Sequence, residues 1–547
     1  MGLRRDAQQA LDRCAFAAEL LDEPSAKAWG RASLALRQLD GDVADRLQAG
    51  TLGEVPGLGP KAIQVITDLG AGREPTSLTE LKVRLPEGLF EIRRVRGLGP
   101  KKVATLWKDL EITSLAELEQ ACRENRLTDL KGFGKKTQTS VLEQIPTLRE
   151  ERGRMRRDEA ASRSENVAAE LRARGASEVF IGGDVRLGAE LIDHLAVVAV
   201  VALVGEVDAS GRDDRVEVHV TTKAGAGLAQ LIATGPETFV DMLRARAASK
   251  GLDLAALQAP TEEDVFTALD LEAVPPELRT DEPERKRPSK RLVKRSHLRG
   301  ALHNHTNASD GSNTLEEMRA AAEAWGLSYF GISEHSVSAF YAGGLDAERL
   351  KKQLASIAKL NESSGCVLLT GVESDILENG ALDYPDALFA ELARDGHPLE
   401  VVVASVHKRH AHGREAATAR MTSAARSPWT TLMGHPTGRL LLGRAPMDFD
   451  VEALIDACAA SGCALELNAN PQRLDLSARH AAMAKERGVL VSIAADAHHV
   501  SELDNLEHGL AVARRAGLGP EDVLNCMELP QLRAWLDLRR QRALAAS

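Results

Sequence analysis

Aromatic residues and long apolar runs are both scarce in this sequence. Phe, Trp and Tyr make up only 3% of the 547 residues, which argues against a protein that holds single strands chiefly by extended base stacking. No apolar run approaches the ~18 residues that a membrane-spanning helix needs. The opening segment MGLRRDAQQALDRC has no apolar stretch before a small-residue cleavage site, so we predict no secretory signal. We therefore expect a cytoplasmic protein with no membrane partner.

Paired cysteines and an excess of positive charge are missing too. The six cysteines form no C-x-x-C pair, which favours free or buried thiols in a reducing compartment. A net charge of −11 is not typical of a protein that coats DNA over its whole surface, and it is compatible with local DNA contacts. The length is too great for one core and predicts three or four domains.

Histidine is nearly absent from the first half and concentrated in the second. Of the 15 histidines, only His194 and His219 precede residue 290, and 12 lie between His303 and His508. Histidine is the commonest metal ligand and titrates near neutral pH. The distribution therefore places the chemistry in the C-terminal half.

One glycine-rich pattern occurs three times in a helical N-terminal region. The segments VPGLGPKAIQVI, VRGLGPKKVATLW and LKGFGKKTQTSVL each join an apolar residue, G-[LF]-G and a lysine-bearing helix start. A single such turn could be an ordinary helix cap, but two of the three share GLGPK. The repeat predicts a helical domain over residues 1–80 with the first turn and a second helical region over 81–150 with the other two.

These turns have the chemistry of phosphate contacts. Glycine lets the backbone approach a phosphate closely, and the amides of the following helix N-terminus point toward it. Contacts of this kind position a protein on DNA without reading its sequence. The candidate DNA-binding residues are Gly57, Gly59, Lys61, Gly97, Gly99, Lys101, Gly132, Gly134 and Lys135.

The middle of the chain mixes helices and strands before a basic segment. Residues 151–275 include the strand patterns VFIGG and RVEVHV, which predicts an α+β region. Residues 276–297 lose apolar periodicity and read as a linker. Eight Lys and Arg residues lie between Arg285 and Arg299. This basic run could be a solvated tether or could follow phosphates.

Residues 298–547 alternate short apolar strands with helical patterns, which predicts βα units and a parallel sheet or barrel. Histidines and carboxylates follow nearly every predicted strand. Such positions converge at one mouth of a βα barrel, where active sites form. The candidate metal ligands are His303, His305, Asp310, His335, Glu373, His407, His435, Asp496 and His498.

Six imidazoles and three carboxylates suit Zn²⁺, Mn²⁺ or Fe²⁺. Nine ligands exceed the needs of one ion, so a bridging carboxylate would allow two or three divalent ions to lie close together. Adjacent ions generate a metal-bound hydroxide at neutral pH and stabilise both oxygens of an in-line phosphoryl displacement. The C-terminal half is therefore predicted to be a metal-dependent phosphoesterase.

Residues 298–547 resemble a PHP (polymerase and histidinol phosphatase) domain. The segments H-x-H-T with S-D-G, G-x-E-x-D, S-x-H, G-H-P-T-G-R and D-A-H-H occur in the family's order. The resemblance implies a distorted (βα)7 barrel with a three-metal site held by the nine residues named above. Glu334 departs from the Asp common before the ligand histidine. Arg439 and Arg473 are candidate phosphate contacts, with surface ion pairing as the alternative for each.

The whole chain resembles a bacterial family X DNA polymerase with a C-terminal PHP domain. That resemblance implies an all-α helix-hairpin-helix region, an α+β nucleotidyltransferase-like palm and thumb over 151–275, and the PHP barrel over 298–547. The palm departs from the family pattern, since its paired carboxylates align with His194 and Ala196 and its third with His219. Without those carboxylates two Mg²⁺ ions have no site.

A shifted metal site at Asp193, Glu190 and Glu217 is the alternative to an inactive palm; ordinary surface acids explain the three more simply. We expect a monomeric, DNA-binding phosphodiesterase that acts in repair as a 3′–5′ exonuclease at ends, gaps or damaged sites. The alternatives are a gap-filling polymerase with a nuclease, a non-catalytic repair adaptor, and a small-molecule phosphatase similar to histidinol phosphatase.

Overall fold

The computed structural model describes residues 2–123, 127, 130, 132–150, 154–203, 215–279, 291–408, 413–442 and 445–546. These residues form two compact units. The first comprises Met1–Gly153 with Leu442–Ala445, and the second comprises Arg154–Leu441 with Pro446–Ser547. Residues 280–290 of the predicted linker lie outside the described residues.

The first unit is helical in its described residues. Apolar side chains recur on one face of each longer helix and pack into a single core around Phe16, Leu36 and Leu89. Proline at the first helical position starts two helices, because its fixed φ suits that position and its missing N–H is not needed there. The helices are α1 Gly2–Leu20, α2 Ala26–Arg37, α3 Val43–Gln48, α4 Pro60–Gly70, α5 Thr76–Lys82, α6 Gly88–Ile92, α7 Pro100–Leu110, α8 Leu115–Arg123 and α9 Lys135–Glu150.

The second unit begins with a small α+β region. Its three-stranded sheet has the order β2-β4-β5, with β2 and β4 antiparallel and β4 and β5 parallel. The strand LAVVAVV is buried along its whole length, as expected for the centre of a sheet. The elements are β1 Met155–Arg156, α10 Arg157–Ala173, β2 Glu178–Ile181, α11 Gly183–Arg186, β3 Leu191–Ile192, β4 Leu195–Val201, β5 Val216–Thr222, α12 Ala226–Thr234, α13 Glu237–Ser249 and α14 Glu262–Ala268.

The remainder of the second unit is a parallel βα barrel. Within the described residues its seven strands follow chain order across the sheet, from β6 at one edge to β12 at the other. The strands are β6 Gly300–Ala301, β7 Tyr329–Ile332, β8 Val367–Asp375, β9 Val401–Ser405, β10 Leu432–Met433, β11 Ala464–Asn468 and β12 Val491–Ala494. The helices are α15 Leu315–Trp325, α16 Ala347–Leu360, α17 Asp386–Arg394, α18 Arg414–Arg426, α19 Val451–Ser461, α20 Ala478–Glu486, α21 Leu506–Arg515 and α22 Leu529–Ala546.

The two edges of this sheet meet just beyond β6 and β12. The Asp496 N–H donates to the His303 carbonyl at 3.1 Å, and the His305 N–H donates to the Ala497 carbonyl at 2.9 Å. The barrel is therefore nearly closed, and the predicted distorted (βα)7 barrel is confirmed. Among the described helices, none combines the length and the apolar character needed to cross a membrane.

Candidate metal centre

The nine candidate ligands meet at one mouth of the barrel. Each parallel strand ends at the same rim, so residues that are far apart in the chain become neighbours there. Glu373 lies within β8, His407 two residues after β9, and His435 two residues after β10. His435 and Asp496 have positive φ values of 26° and 50°, which is sparsely populated backbone for non-glycine residues and is typical of functional turns.

Glu373 is the centre of the cluster and is fully enclosed by it. Its Oε1 lies 3.0 Å from His435 Nε2 and 3.3 Å from the Nε2 atoms of both His303 and His407. Its Oε2 lies 2.8 Å from His335 Nδ1. One carboxylate therefore faces four imidazoles at short range, which is the geometry expected of a group that bridges two cations.

Asp310 and Asp496 flank that centre. Asp310 Oδ1 lies 3.3 Å from His498 Nε2, and Asp310 Oδ2 lies 3.4 Å from His335 Nε2. Asp496 Oδ1 lies 3.3 Å from His305 Nε2. The imidazoles of His305 and His498 stack with ring centroids 4.3 Å apart.

The donor set fits divalent metal ions. His303 Nε2 and both ring nitrogens of His305 are buried and have no hydrogen-bond partner among the described residues. Unsatisfied buried polar atoms are costly, so a cluster of them fits a site that binds cations. Three overlapping groups have ligand atoms within 4.8 Å of one another: His305, Asp310, His335 and His498; His303, His305 and Glu373; and His335, Glu373 and His407.

Burial and mutual charge shift the pKa values of these groups in opposite directions. Burial opposes the charged form of His335, but Glu373 and Asp310 outweigh it and raise the pKa of this ring to about 10. The pKa of His305 falls to about 3, because its burial is reinforced by the neighbouring His498 and His335. Despite its own burial, Glu373 has a pKa well below its usual range because imidazoles surround it. The carboxylates are thus held ionised for cation binding.

Two further carboxylates orient the ligands, and neither is among the site residues predicted from the sequence. Glu466 Oε2 lies 2.7 Å from His303 Nδ1, and Asp375 Oδ1 lies 2.8 Å from His407 Nδ1. Each carboxylate accepts a hydrogen bond from the Nδ1–H of its histidine, so that Nε2 faces Glu373. The signal in the sequence was an acidic residue inside the apolar strand CALELN and the second carboxylate of G-x-E-x-D.

Glu334, the residue that departs from the PHP pattern, is buried behind the cluster. It accepts hydrogen bonds from the Thr306 N–H at 3.1 Å and from the Thr306 and Ser309 hydroxyls. Burial raises the pKa of its carboxyl, although these donors oppose that shift. Glu334 therefore secures the loop that carries Asp310.

The two candidate phosphate-binding arginines have different surroundings. The Arg473 Nε lies 3.9 Å from Asp496 Oδ2 at the edge of the metal centre. The Arg439 guanidinium pairs with Glu190 Oε2 at 2.8 Å and donates to the backbone carbonyls of Arg473 and Leu474. Arg439 therefore has its donors engaged within the protein, and only Arg473 borders the ligand cluster.

The glycine turns of the first unit have the backbone that their sequence predicts. Gly57, Gly97 and Gly132 have φ between 87° and 97°, a range that residues with a side chain rarely adopt. A Cβ at Gly59, Gly97, Gly99, Gly132 or Gly134 would meet open space. Lys61 and Lys101 are exposed in the first turn of α4 and α7, whereas the side chain of Lys135 lies outside the described residues.

The acids proposed as a shifted palm site are separately paired. Glu190 pairs with Arg439, Asp193 Oδ1 lies 2.9 Å from Arg154, and Glu217 Oε1 lies 3.1 Å from His219. Every group of ligands at metal-binding distance within the described residues belongs to the barrel.

Comparison with known proteins supports both halves of this architecture. The profile of the PHP domain matches residues 301–485, and that of a SAM-like helix-hairpin-helix tandem matches residues 91–145. DNA polymerase/3′–5′ exonuclease PolX of Bacillus subtilis (strain 168) is 30% identical to this chain over an alignment of 580 residues. The alignment covers 97% of this chain and 99% of that protein.

More distant similarities cover smaller shares of the chain. A probable phosphatase of Caldanaerobacter subterraneus is 24% identical over 257 residues, covering 44% of this chain and 91% of that protein. A crystal structure of Leishmania infantum polymerase beta in a ternary complex covers 36% of this chain and 98% of that chain, with 15% identity and a TM-score of 0.21.

The barrel, its histidine-rich mouth and the glycine turns define a PHP-domain protein fused to a DNA-binding helix-hairpin-helix region. The chain belongs to the PolX family, the bacterial family X polymerases that carry a PHP domain. The predicted resemblance is confirmed.

Proposed function

We propose that the protein is a 3′–5′ exonuclease that removes nucleotides from DNA at its PHP barrel. The enclosure of Glu373 by four imidazoles carries this proposal, because it brings candidate ligands that follow four different strands to one carboxylate. The nine clustered residues are assigned as ligands of two or three divalent ions, with Mn²⁺ or Zn²⁺ preferred and Fe²⁺ compatible. The name of the Bacillus subtilis relative includes 3′–5′ exonuclease, which supports this polarity.

The residues around the cluster have distinct tasks. Bound divalent ions would activate water and stabilise the phosphoryl oxygens of an in-line displacement. Glu466 and Asp375 hold two imidazoles in the tautomer that presents Nε2. Arg473 is placed to contact a phosphate at the edge of the site, since a guanidinium suits phosphate oxygens. Arg439 positions the backbone of Arg473 from behind.

The helix-hairpin-helix turns would hold the substrate by its phosphates. Open space in front of Gly59, Gly99 and Gly134 permits close approach of a DNA backbone. Contacts of this type do not read bases, so the substrates are DNA ends, gaps or damaged sites of any sequence. We further propose that the protein acts in DNA repair and that it works as a monomer.

We infer that the palm has lost polymerase activity and serves as a scaffold. Ala196 and His219 stand where carboxylates are required, and β4 and β5 offer no acid pair at Mg²⁺-binding distance in their described residues. The corresponding domain division is 1–80, 81–150, 151–275, a linker over 276–297, and 298–547.

A nuclease assay on end-labelled DNA tests the main proposal. With Mn²⁺, 5′-labelled DNA should give a ladder of shortened strands, and 3′-labelled DNA should release labelled mononucleotide at once. His303→Ala and Asp496→Ala should abolish both signals. His397→Ala removes an exposed histidine of the same barrel and should behave as wild type.

The outcomes separate the rival functions. Cleavage of a phosphate monoester in preference to DNA would favour a small-molecule phosphatase, and no cleavage by metal-loaded protein would favour an adaptor. The Bacillus relative's name includes DNA polymerase, so primer extension with Mg²⁺ and with Mn²⁺ should also be measured. Template-directed extension would overturn the assignment of an inactive palm.

A further inference from the structure

A cavity of about 910 Å³ opens directly beside the metal centre. His407 and Asp375 form the wall that it shares with the ligand cluster. Phe340, Leu377 and Lys408 are among the residues on its other sides. A volume in this range accommodates a small organic ligand.

Phe340 gives this cavity an aromatic surface. Its side chain is 83% exposed, and it alone is aromatic among the exposed large apolar residues that the structure describes. Val337, from the same loop, and Leu377, across the cavity, are also exposed, at 47% and 39%. Clustered exposed apolar side chains beside a polar site are typical of a ligand surface.

The walls of the cavity are held by a buried arginine. Arg420 is 7% exposed and donates to the Leu377 carbonyl at 2.8 Å, to the Lys408 carbonyl at 3.1 Å, and to the Ile376 carbonyl. One side chain therefore ties the segment after β8 to the segment after β9. The cavity is a built feature of the barrel rim and does not depend on a single surface loop.

The charges that line the cavity are balanced. Asp375 and Glu378 lie there together with Lys408 and Arg420, so neither sign of charge dominates. A neutral, planar group that stacks on Phe340 is compatible with the same wall. Lys408 is exposed at this wall and supplies a cation for a phosphate that stays outside.

We propose that this cavity binds the 3′-terminal nucleoside of the DNA strand, with its base stacked on Phe340. The inference rests on the proposed exonuclease function and specifies where the leaving nucleotide lies. With the terminal base stacked there, the 5′-phosphate of the same nucleotide would lie toward the adjacent metal centre. Stacking accepts every base, because each has a π face, and so suits an enzyme that degrades any sequence.

The test compares two DNA substrates that differ only in the terminal base. One ends in a normal 3′ nucleotide and the other in a 3′ tetrahydrofuran abasic residue. Phe340→Ala should lower kcat/KM about tenfold on the normal end, which is within the range measured for loss of one stacked base. On the abasic end the same substitution should change kcat/KM by about twofold or less, since no base remains to stack. Phe340→Trp should restore the activity on the normal end.

A distant exposed residue provides the matched control. Leu538→Ala removes a 52% exposed apolar side chain from α22 and should leave both rates at the wild-type value. Equal rates for wild type and Phe340→Ala on the normal end would overturn the inference. Equal losses on both ends would overturn it too, because they would show that Phe340 only supports the loop. If wild type cleaved neither substrate, the exonuclease proposal itself would fail.

Discussion

Glu466 is an acidic side chain with no exposed surface in the middle of a barrel strand. Two contacts stabilise its charge there: the Nδ1 atom of His303 at 2.7 Å and the Asn468 amide at 2.7 Å. Asn468 also donates to Asp496 at 3.0 Å. This chain of hydrogen bonds fixes two candidate ligands and explains why a carboxylate is buried at that position.

Glu466→Gln should weaken metal binding while the fold is kept. The amide retains the shape of the side chain but removes the negative charge that makes the His303 ring a basic ligand. Loss of such an outer partner typically lowers metal affinity about 10–100-fold. Competition with a fluorescent chelator for Mn²⁺ or Zn²⁺ would measure this change.

Asp375→Asn is the companion substitution, since it acts on His407 in the same way. Exposed Asp448→Asn, in the same barrel, serves as the control. An unchanged metal affinity in Glu466→Gln would show that the carboxylate does not tune His303.

At the scale of elements, the small α+β region and the barrel share partly buried ion pairs and hydrogen bonds. Arg514 pairs with Glu277 at 2.6 Å, and Arg515 donates to the Leu187 carbonyl at 3.0 Å. Glu190 joins the turn before β3 to Arg439 and to the N–H of Ala478 at the start of α20. The palm-like region is thus a structural support of the barrel, whatever its own chemistry.

Glu190→Ala should destabilise the protein by about 1–3 kcal/mol, because the partly buried Arg439 guanidinium loses its carboxylate partner and the backbone N–H of Ala478 loses its acceptor. It should also lower exonuclease activity, since Arg439 positions the backbone of Arg473. Glu217→Ala removes a mostly exposed acid and should change the stability by about 0.5 kcal/mol or less. Thermal unfolding and the nuclease assay together measure both effects. Equal stability of the two variants would show that Glu190 does not stabilise the contact between the α+β region and the barrel.

His508 on α21 makes this packing sensitive to acid. Burial lowers its pKa to about 4, and the nearby Arg157 adds to the shift. The unfolded chain has a histidine pKa of about 6.5, so it binds a proton between these values that the folded protein does not. The contribution of His508 to stability should be complete above about pH 6.5 and should be lost as the pH falls toward about 4.

His508→Gln removes this titration, so the stability difference between wild type and variant should shrink by on the order of 2 kcal/mol across that range. Unfolding midpoints at several pH values, with a chelator present, would measure it. His397→Gln alters an exposed histidine and should follow the wild-type curve. Parallel curves for wild type and His508→Gln would refute the assignment.

At the scale of the whole molecule, binding and cleavage should be separable. Lys61→Ala and Lys101→Ala should each reduce the slope of log affinity against log salt by about 1, because each removes one phosphate contact. Hydrolysis of a dinucleotide, which has a single internucleotide phosphate for the metal centre, should be unchanged. Fluorescence anisotropy over a salt series measures the slope. Lys351→Ala, in the barrel, is the matched control, and an unchanged slope in both turn variants would exclude these lysines from DNA contact.

Much of the candidate site could be predicted from the sequence, because its ligands follow apolar strands that must end at one rim. His303, Glu373, His435 and Asp496 all come together where that rule places them. The hydrogen-bond partners could not be predicted in the same way. Glu466 occupies a strand whose residues are buried on both faces, so alternation gives no indication of the direction of its side chain.

The amino-acid order by itself determined the repeated glycine turns, the alternation of strands and helices, and the residue types that converge at the barrel mouth. These are local properties, set by backbone preferences and periodicity. Only the tertiary structure decided that Glu190 engages Arg439, that Arg420 shapes the cavity, and that Phe340 faces solvent beside His407. Those contacts join segments whose separation along the chain carries no information about their distance in space.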